Sequence, residues 1–222
     1  MADSAAPPRR HRWVAWSGLA FVGLLIAAVP VGRAPEAHKS DATILAYYTD
    51  SGNQTKQIVT ALLAAIALVA FLVFLTGVRL LLVEADAPTP FPDLAFAGGL
   101  AFAVVALVGF AVGTAVPATF VFSDTFELDP DTARVILTTG NIWLLSFAGA
   151  VGSLLVGAVS FASRRTHLLP KWLEWAGLIA APLMLLSLPA FALSTIALMA
   201  WVLAVSIVLL LRTRPVNVVY EP

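Results

Sequence analysis

The chain has 222 residues, 60% of them hydrophobic and 12% charged, with 13 basic residues balancing 13 acidic ones and no cysteine. A mean hydropathy of +0.92 excludes an ordinary water-soluble domain, in which about half the residues are apolar and a quarter charged. Zero net charge gives no basis for nucleic acid binding, and the lack of cysteine excludes disulfides, thiolate catalysis and Cys-based metal sites.

Residues 1–12, a polar tail ending in Arg9, Arg10, His11 and Arg12, precede the first apolar run, 13–31. A basic stretch followed by an apolar one also describes a signal peptide, but this run is long for one and no convincing small-x-small site precedes Pro35. The polar stretch from Gly32 to Gln57 is the longest loop. Its centre, Asp41 to Asp50, has the apolar and aromatic content of one or two helical turns lying at the interface, where tyrosine favours the headgroup level. The second span covers 58–83, with Arg79 placed to snorkel to the near surface. In the connector Glu84–Asp93, Pro88, Pro90 and Pro92 block helix and favour an extended turn. The third span, 94–121, is rich in Gly and Ala. The loop after it holds Asp124, Glu127, Asp129 and Asp131, and Asp129-Pro130-Asp131 reads as a helix start with proline in the first turn. The fourth span, 135–162, ends in Arg164, Arg165, His167 and Lys171. The apolar block from Leu173 to Leu211 is too long for one crossing of about 30 Å, and a break near Pro189 divides it into spans 173–189 and 191–211. Residues 212–222 form a second polar tail.

These elements predict an all-α fold, a polytopic transmembrane bundle of about six helices with residues 13–211 as one transmembrane domain. With the first tail inside, one side carries Arg9, Arg10, Arg12, Arg79, Arg164, Arg165, Lys171, Arg212 and Arg214, and the other only Arg33, Lys39, Lys56 and Arg134. The positive-inside rule then places both tails in the cytoplasm. Trp13, Trp16, Trp172 and Trp175 fall at the same predicted boundaries, as an aromatic belt does. A short internal echo links Ala28-Val29-Pro30 with Ala115-Val116-Pro117. Such tripeptides are common in apolar sequence, and a duplication would imply a parallel-repeat transporter.

Asn141 is the one strongly polar side chain well inside an apolar run, and an amide in hydrocarbon needs a hydrogen-bonding neighbour or water. It reads either as an interhelical clamp or as the lining of a cavity, and Thr138 and Ser146 share either role. Gly109 and Gly113 form GxxxG, and Gly149, Ser153 and Gly157 repeat its spacing, so both stripes predict close helix packing within one bundle. The acids of the 122–134 loop lack the spacing of a calcium loop and read as solvated caps, so no metal site is expected. Neither a hydrolase elbow, a zinc helix nor a phosphate loop occurs, and no cofactor is expected. In the segment His167 to Trp175 a proline opens a helix flanked by two tryptophans, an interfacial anchor in which Lys171 or Arg165 pairs with Glu174.

The stretch Leu169-Pro170-Lys171-Trp172-Leu173-Glu174-Trp175-Ala176-Gly177 leading to Ala181-Pro182-Leu183, with Tyr47-Tyr48 before a long apolar span, resembles uncharacterised six-helix integral membrane proteins of actinobacteria, similar to the DUF4386 type. The resemblance implies a bacterial plasma membrane location and six helices, and assigns no activity. The expected function is therefore that of a non-enzymatic bundle whose partners are membrane lipid and a membrane protein or a second copy of itself. The alternative is a small permease or receptor for a neutral or apolar ligand, with Asn141, Thr138 and Ser146 lining a pocket open toward Tyr47 and Tyr48. An enzyme is disfavoured because acid and base groups are confined to loops.

Overall fold

A computed structural model describes residues 12–123, 125–186 and 192–212, and among them every regular element is helical. In chain order these are α1 (Arg12–Val31), α2 (Asp41–Thr49), α3 (Ser51–Glu84), α4 (Phe91–Gly113), α5 (Ala115–Phe122), α6 (Pro130–Ile142), a π-helical turn (Trp143–Phe147), α7 (Ala148–Thr166), α8 (Lys171–Leu186) and α9 (Leu193–Arg212). The expected break at Pro189, the basic residues Arg9, Arg10, His11 and Arg214, and Asp124 lie outside the described residues. Five helical runs are long and apolar enough to cross a bilayer, namely α1, α3, α4, the continuous run from α6 through α7, and α9. The remaining long element, α8, has 16 described residues and packs on α7 and α9.

Local chemistry sets the helix ends. Ser40 caps α2 by accepting from the Thr43 N–H, and Asp50 caps α3 by accepting from the Asn53 N–H at 2.8 Å. Asp129 accepts from both the N–H and the hydroxyl of Thr132 at 2.8 Å, so α6 starts with Pro130 in its first turn as the Asp-Pro-Asp pattern predicts. Those bonds from Thr132 hold the Asp129 carboxyl below the usual carboxylate range. The third apolar run, expected as one span over 94–121, is instead divided at Thr114. Pro117 has no N–H to give the Gly113 carbonyl, and its ring crowds that same carbonyl. The Thr114 hydroxyl bonds the Phe110 carbonyl at 2.8 Å and closes α4.

The core is built where α1, α3 and α4 meet. Phe21 and Phe71 lie 4.8 Å apart between ring centroids, Phe71 and Phe102 4.9 Å, and Phe74 completes the cluster. Tilted and edge-on contacts of this kind add to simple burial. Leu62, Val69, Val104, Ile179 and Ile196 point outward and exposed, the apolar surface that a lipid-facing bundle presents. A second, smaller apolar cluster joins Ile44 and Tyr48 of α2 to Val116 of α5 and Ala133 of α6. It forms a cap over one end of the bundle, called the α2 end below.

At the opposite end, Arg79 reaches Asp93 at 2.9 Å, so α3 and the start of α4 are tied by an ion pair. Arg164 stacks 4.7 Å from the Trp175 ring centroid, a cation–π contact between α7 and α8. Glu174 pairs with neither Lys171 nor Arg165 among the described residues; its side chain is buried and its Oε1 has no hydrogen-bond partner. Ser160 Oγ, Ser163 Oγ and Trp201 Nε1 are likewise buried and unpartnered, and Ser160 and Trp201 meet over Gly177.

Candidate functional site at the α2 end

The run from α6 to α7 is interrupted by the π-helical turn Trp143–Phe147. A π turn spreads its hydrogen bonds over five residues and leaves neighbouring carbonyls short of a helical partner. Two adjacent hydroxyls at the start of α9 supply what is missing. Thr195 Oγ1 lies 2.9 Å from the Leu144 carbonyl and 3.2 Å from that of Leu145, and Ser194 Oγ lies 3.1 Å from the Leu145 carbonyl and 3.3 Å from that of Ser146. The clamp between these helices is therefore made by Ser194 and Thr195. Removing both hydroxyls with little change of shape, by combining Ser194→Ala with Thr195→Val, is expected to lower stability by about 1 kcal/mol for each lost bond. Thermal unfolding in a mild detergent measures this, and an unchanged midpoint would remove the clamp.

Directly above the π turn lies a cleft of about 540 Å³ between α1 and α3 on one side and α4 and α6 on the other. It exists because backbones there carry little side-chain bulk. A Cβ on Gly140 would stand 2.8 Å from the Gly113 nitrogen and 3.0 Å from the Gly109 carbonyl oxygen, so α6 rests on α4 backbone to backbone. Thr138 and Asn141 line the cleft from α6, both exposed. Asn141 makes no side-chain hydrogen bond to any described residue. Facing them from α3 is Gln57, only 5% exposed. Its Nε2 donates to the Tyr47 hydroxyl at 3.3 Å, while its Oε1 is buried without a partner. Thr60 lies one turn further along α3, and its hydroxyl donates to the Lys56 and Ala28 carbonyls at 2.9 and 3.4 Å. Leu144 and Leu145 close the floor.

The rim of the cleft is the chain from Arg33 to Ala37, and Arg134 holds it in place. From the first turn of α6 its guanidinium donates to the carbonyls of Ala37 at 3.0 Å and Lys39 at 2.9 Å, to Asp131 at 2.7 Å, and to Asp41. A rigid fork of donors is what lets one arginine serve four acceptors. On α2, burial pushes the Tyr48 phenol up, opposed by the Gln57 amide.

Of the sequence-predicted pocket residues, Asn141 and Thr138 share the cleft. Tyr47 lines a smaller adjoining cleft of about 350 Å³ together with Arg33, Asn53 and Lys56. Tyr48 is buried in the cap cluster, and Ser146 is buried in the π turn with an unpartnered Oγ, away from the cleft lining. Gly109 and Gly113 both lie against Gly140 of α6, and a Cβ on Gly109 would stand 2.8 Å from the Leu144 nitrogen, whereas one on Gly113 would meet nothing within 4 Å. The second stripe is split between neighbours: Gly149 packs on Ser194 and Thr195 of α9, Gly157 on Ala181 of α8, and Ser153 borders an apolar groove of about 790 Å³ between α4, α7 and α8. Sequence reasoning passed over Gln57, Arg33, Arg134, Ser194 and Thr195. Among the described residues no three His, Asp or Glu side chains converge as a metal site would require. No protein-family model, no curated protein and no solved structure matches the chain.

Proposed function

We propose that this chain is a six-span integral membrane protein that binds a small ligand in the cleft at its α2 end, as a receptor or a small permease does. In this reading α8 is the sixth crossing, both tails lie in the cytoplasm and the α2 end faces outward, a topology supported by the lysine and arginine distribution. The observation that carries the ligand reading is a cleft of about 540 Å³ lined by two amides, Gln57 with a buried unpartnered Oε1 and Asn141, which is exposed and makes no side-chain hydrogen bond among the described residues. Apolar cavities of this size with a few convergent polar groups are the usual form of a small-molecule site. No catalytic step is assigned, since acids and bases stand in loops and helix ends.

A single cysteine at Asn141, in a chain that has none, tests access to the cleft. A membrane-impermeant thiol reagent added from the α2 side is expected to label Asn141→Cys at a rate comparable to Thr125→Cys in the neighbouring loop. Labelling of the control alone would overturn the reading. A second reading, a bundle that holds a lipid chain or a partner helix, is favoured by the apolar groove between α4, α7 and α8, walled by Leu94, Ala101, Leu154, Phe161, Leu178 and Pro182.

A further inference from the structure

The cleft is chemically graded from mouth to floor. At the mouth, Arg33 lines both the larger cleft and the smaller one, where Lys56 stands beside it. Neither cation forms an ion pair among the described residues; Lys56 Nζ meets only the Asn53 side-chain oxygen, at 3.3 Å. The acids around them are engaged elsewhere. Asp41 and Asp131 bind Arg134, and Asp50 caps α3. Glu36 also borders the mouth and sits 3.4 Å from His38. Among the side chains that line the two clefts, two cations stand against one carboxylate. Below the mouth comes the neutral polar belt of Gln57, Thr60, Thr138 and Asn141, and below that the apolar floor of Leu144 and Leu145. From Thr138 in the belt to Leu145 in the floor, the wall made by α6 and the π turn descends about 10 Å at helical rise.

We infer that the ligand is a single-chain amphiphile with an anionic head, a carboxylate or a phosphate monoester, seated with its head at Arg33 and Lys56 and its chain against the leucine floor. This rests on the reading of the cleft as a ligand site and adds the charge and shape of what it takes. Arginine suits the head because its planar donors match two oxygens of either group. The apolar floor suits the chain because hydrocarbon leaves water there without displacing a bound polar group.

The test uses the full chain in phosphatidylcholine nanodiscs and reads protection of Asn141→Cys from the thiol reagent. Decanoate and decyl phosphate are expected to protect at concentrations at least roughly tenfold below decanol, the worth of one charge-assisted contact. Decyltrimethylammonium is expected not to protect. Arg33→Gln with Lys56→Gln should bring decanoate to the level of decanol, with an unchanged unfolding midpoint showing that the fold is kept; should the double variant fail to fold, Arg33→Gln alone is read. Which anion protects better distinguishes the two heads. Equal protection by decanol and decanoate, or decanoate protection untouched by the charge variants, would overturn the anionic head while leaving the cleft a ligand site. Fast labelling that no amphiphile slows would overturn the amphiphile and count against the ligand reading as well.

Discussion

Gly149→Val is expected to destabilise the bundle by about 3 kcal/mol, the upper end of what overpacking a close contact costs. A Cβ at this position would stand 2.5 Å from the Ser194 carbonyl carbon and the Thr195 nitrogen, and closer still to Ser194 Oγ. Two of those three atoms are backbone, so no rotamer change relieves the clash and α9 must move off α7. That movement also separates Ser194 and Thr195 from the carbonyls of the π turn, so the substitution removes the polar clamp with the apolar contact. Gly23→Val is the matched control, since a Cβ there meets nothing within 4 Å. Thermal unfolding of both variants in one detergent decides the matter. A Gly149→Val midpoint equal to that of Gly23→Val would show that the α7–α9 contact is looser than described.

Arg134→Ala is expected to free the segment from Arg33 to Ser40 while leaving the transmembrane helices folded. Two carbonyls and two carboxylates lose their common donor, and two of the four, those of Ala37 and Lys39, lie in the loop itself. Trypsin cleavage after Arg33 and Lys39 should rise roughly tenfold, because proteolysis of a loop follows the population of its open form. Arg134→Lys is expected to fall between the two, as a single ammonium cannot reproduce the fork. Unchanged cleavage in Arg134→Ala would mean that the cap cluster of Ile44, Tyr48, Val116 and Ala133 holds the loop unaided.

The apolar runs were legible as helices because their periodless hydrophobicity and their charged or proline borders are local properties. So were the α6 start at Asp129-Pro130 and the helical turns between Asp41 and Asp50, each written in neighbouring residues. The break at Thr114 was legible in principle, since Pro117 stands four residues beyond Gly113 inside a run that reads as one span. The arrangement at the cleft was not. Arg134 meets Ala37 across 97 positions of sequence, and Thr195 meets Leu144 across 51, so nothing near either residue announces its partner. Asn141 drew attention as the lone amide in an apolar run, yet Ser194-Thr195 makes the helix–helix bonds. Two adjacent hydroxyls opening an apolar helix were the available signal. Gln57 was hidden by its place at the edge of a polar loop, where an amide is ordinary until the fold buries it.

The π turn fits one more residue into the run from α6 to α7 than a regular helix would hold over the same turn. Five residues at the wider π winding sweep about the same angle as four at about 100° each, so the extra residue leaves the facing of 130–142 against 148–166 nearly unchanged. What it alters is where backbone bonds go, because the carbonyls of Leu144, Leu145 and Ser146 are met by Ser194 and Thr195 of α9. Removing any one residue from Trp143–Phe147 would leave the run long enough to cross a bilayer and keep Asn141 and Gly149 close to their present faces, while returning those carbonyls to a regular ladder within one helix. The extra residue thus acts as a splice that trades bonds inside one helix for bonds between two, and a hydropathy profile does not register it.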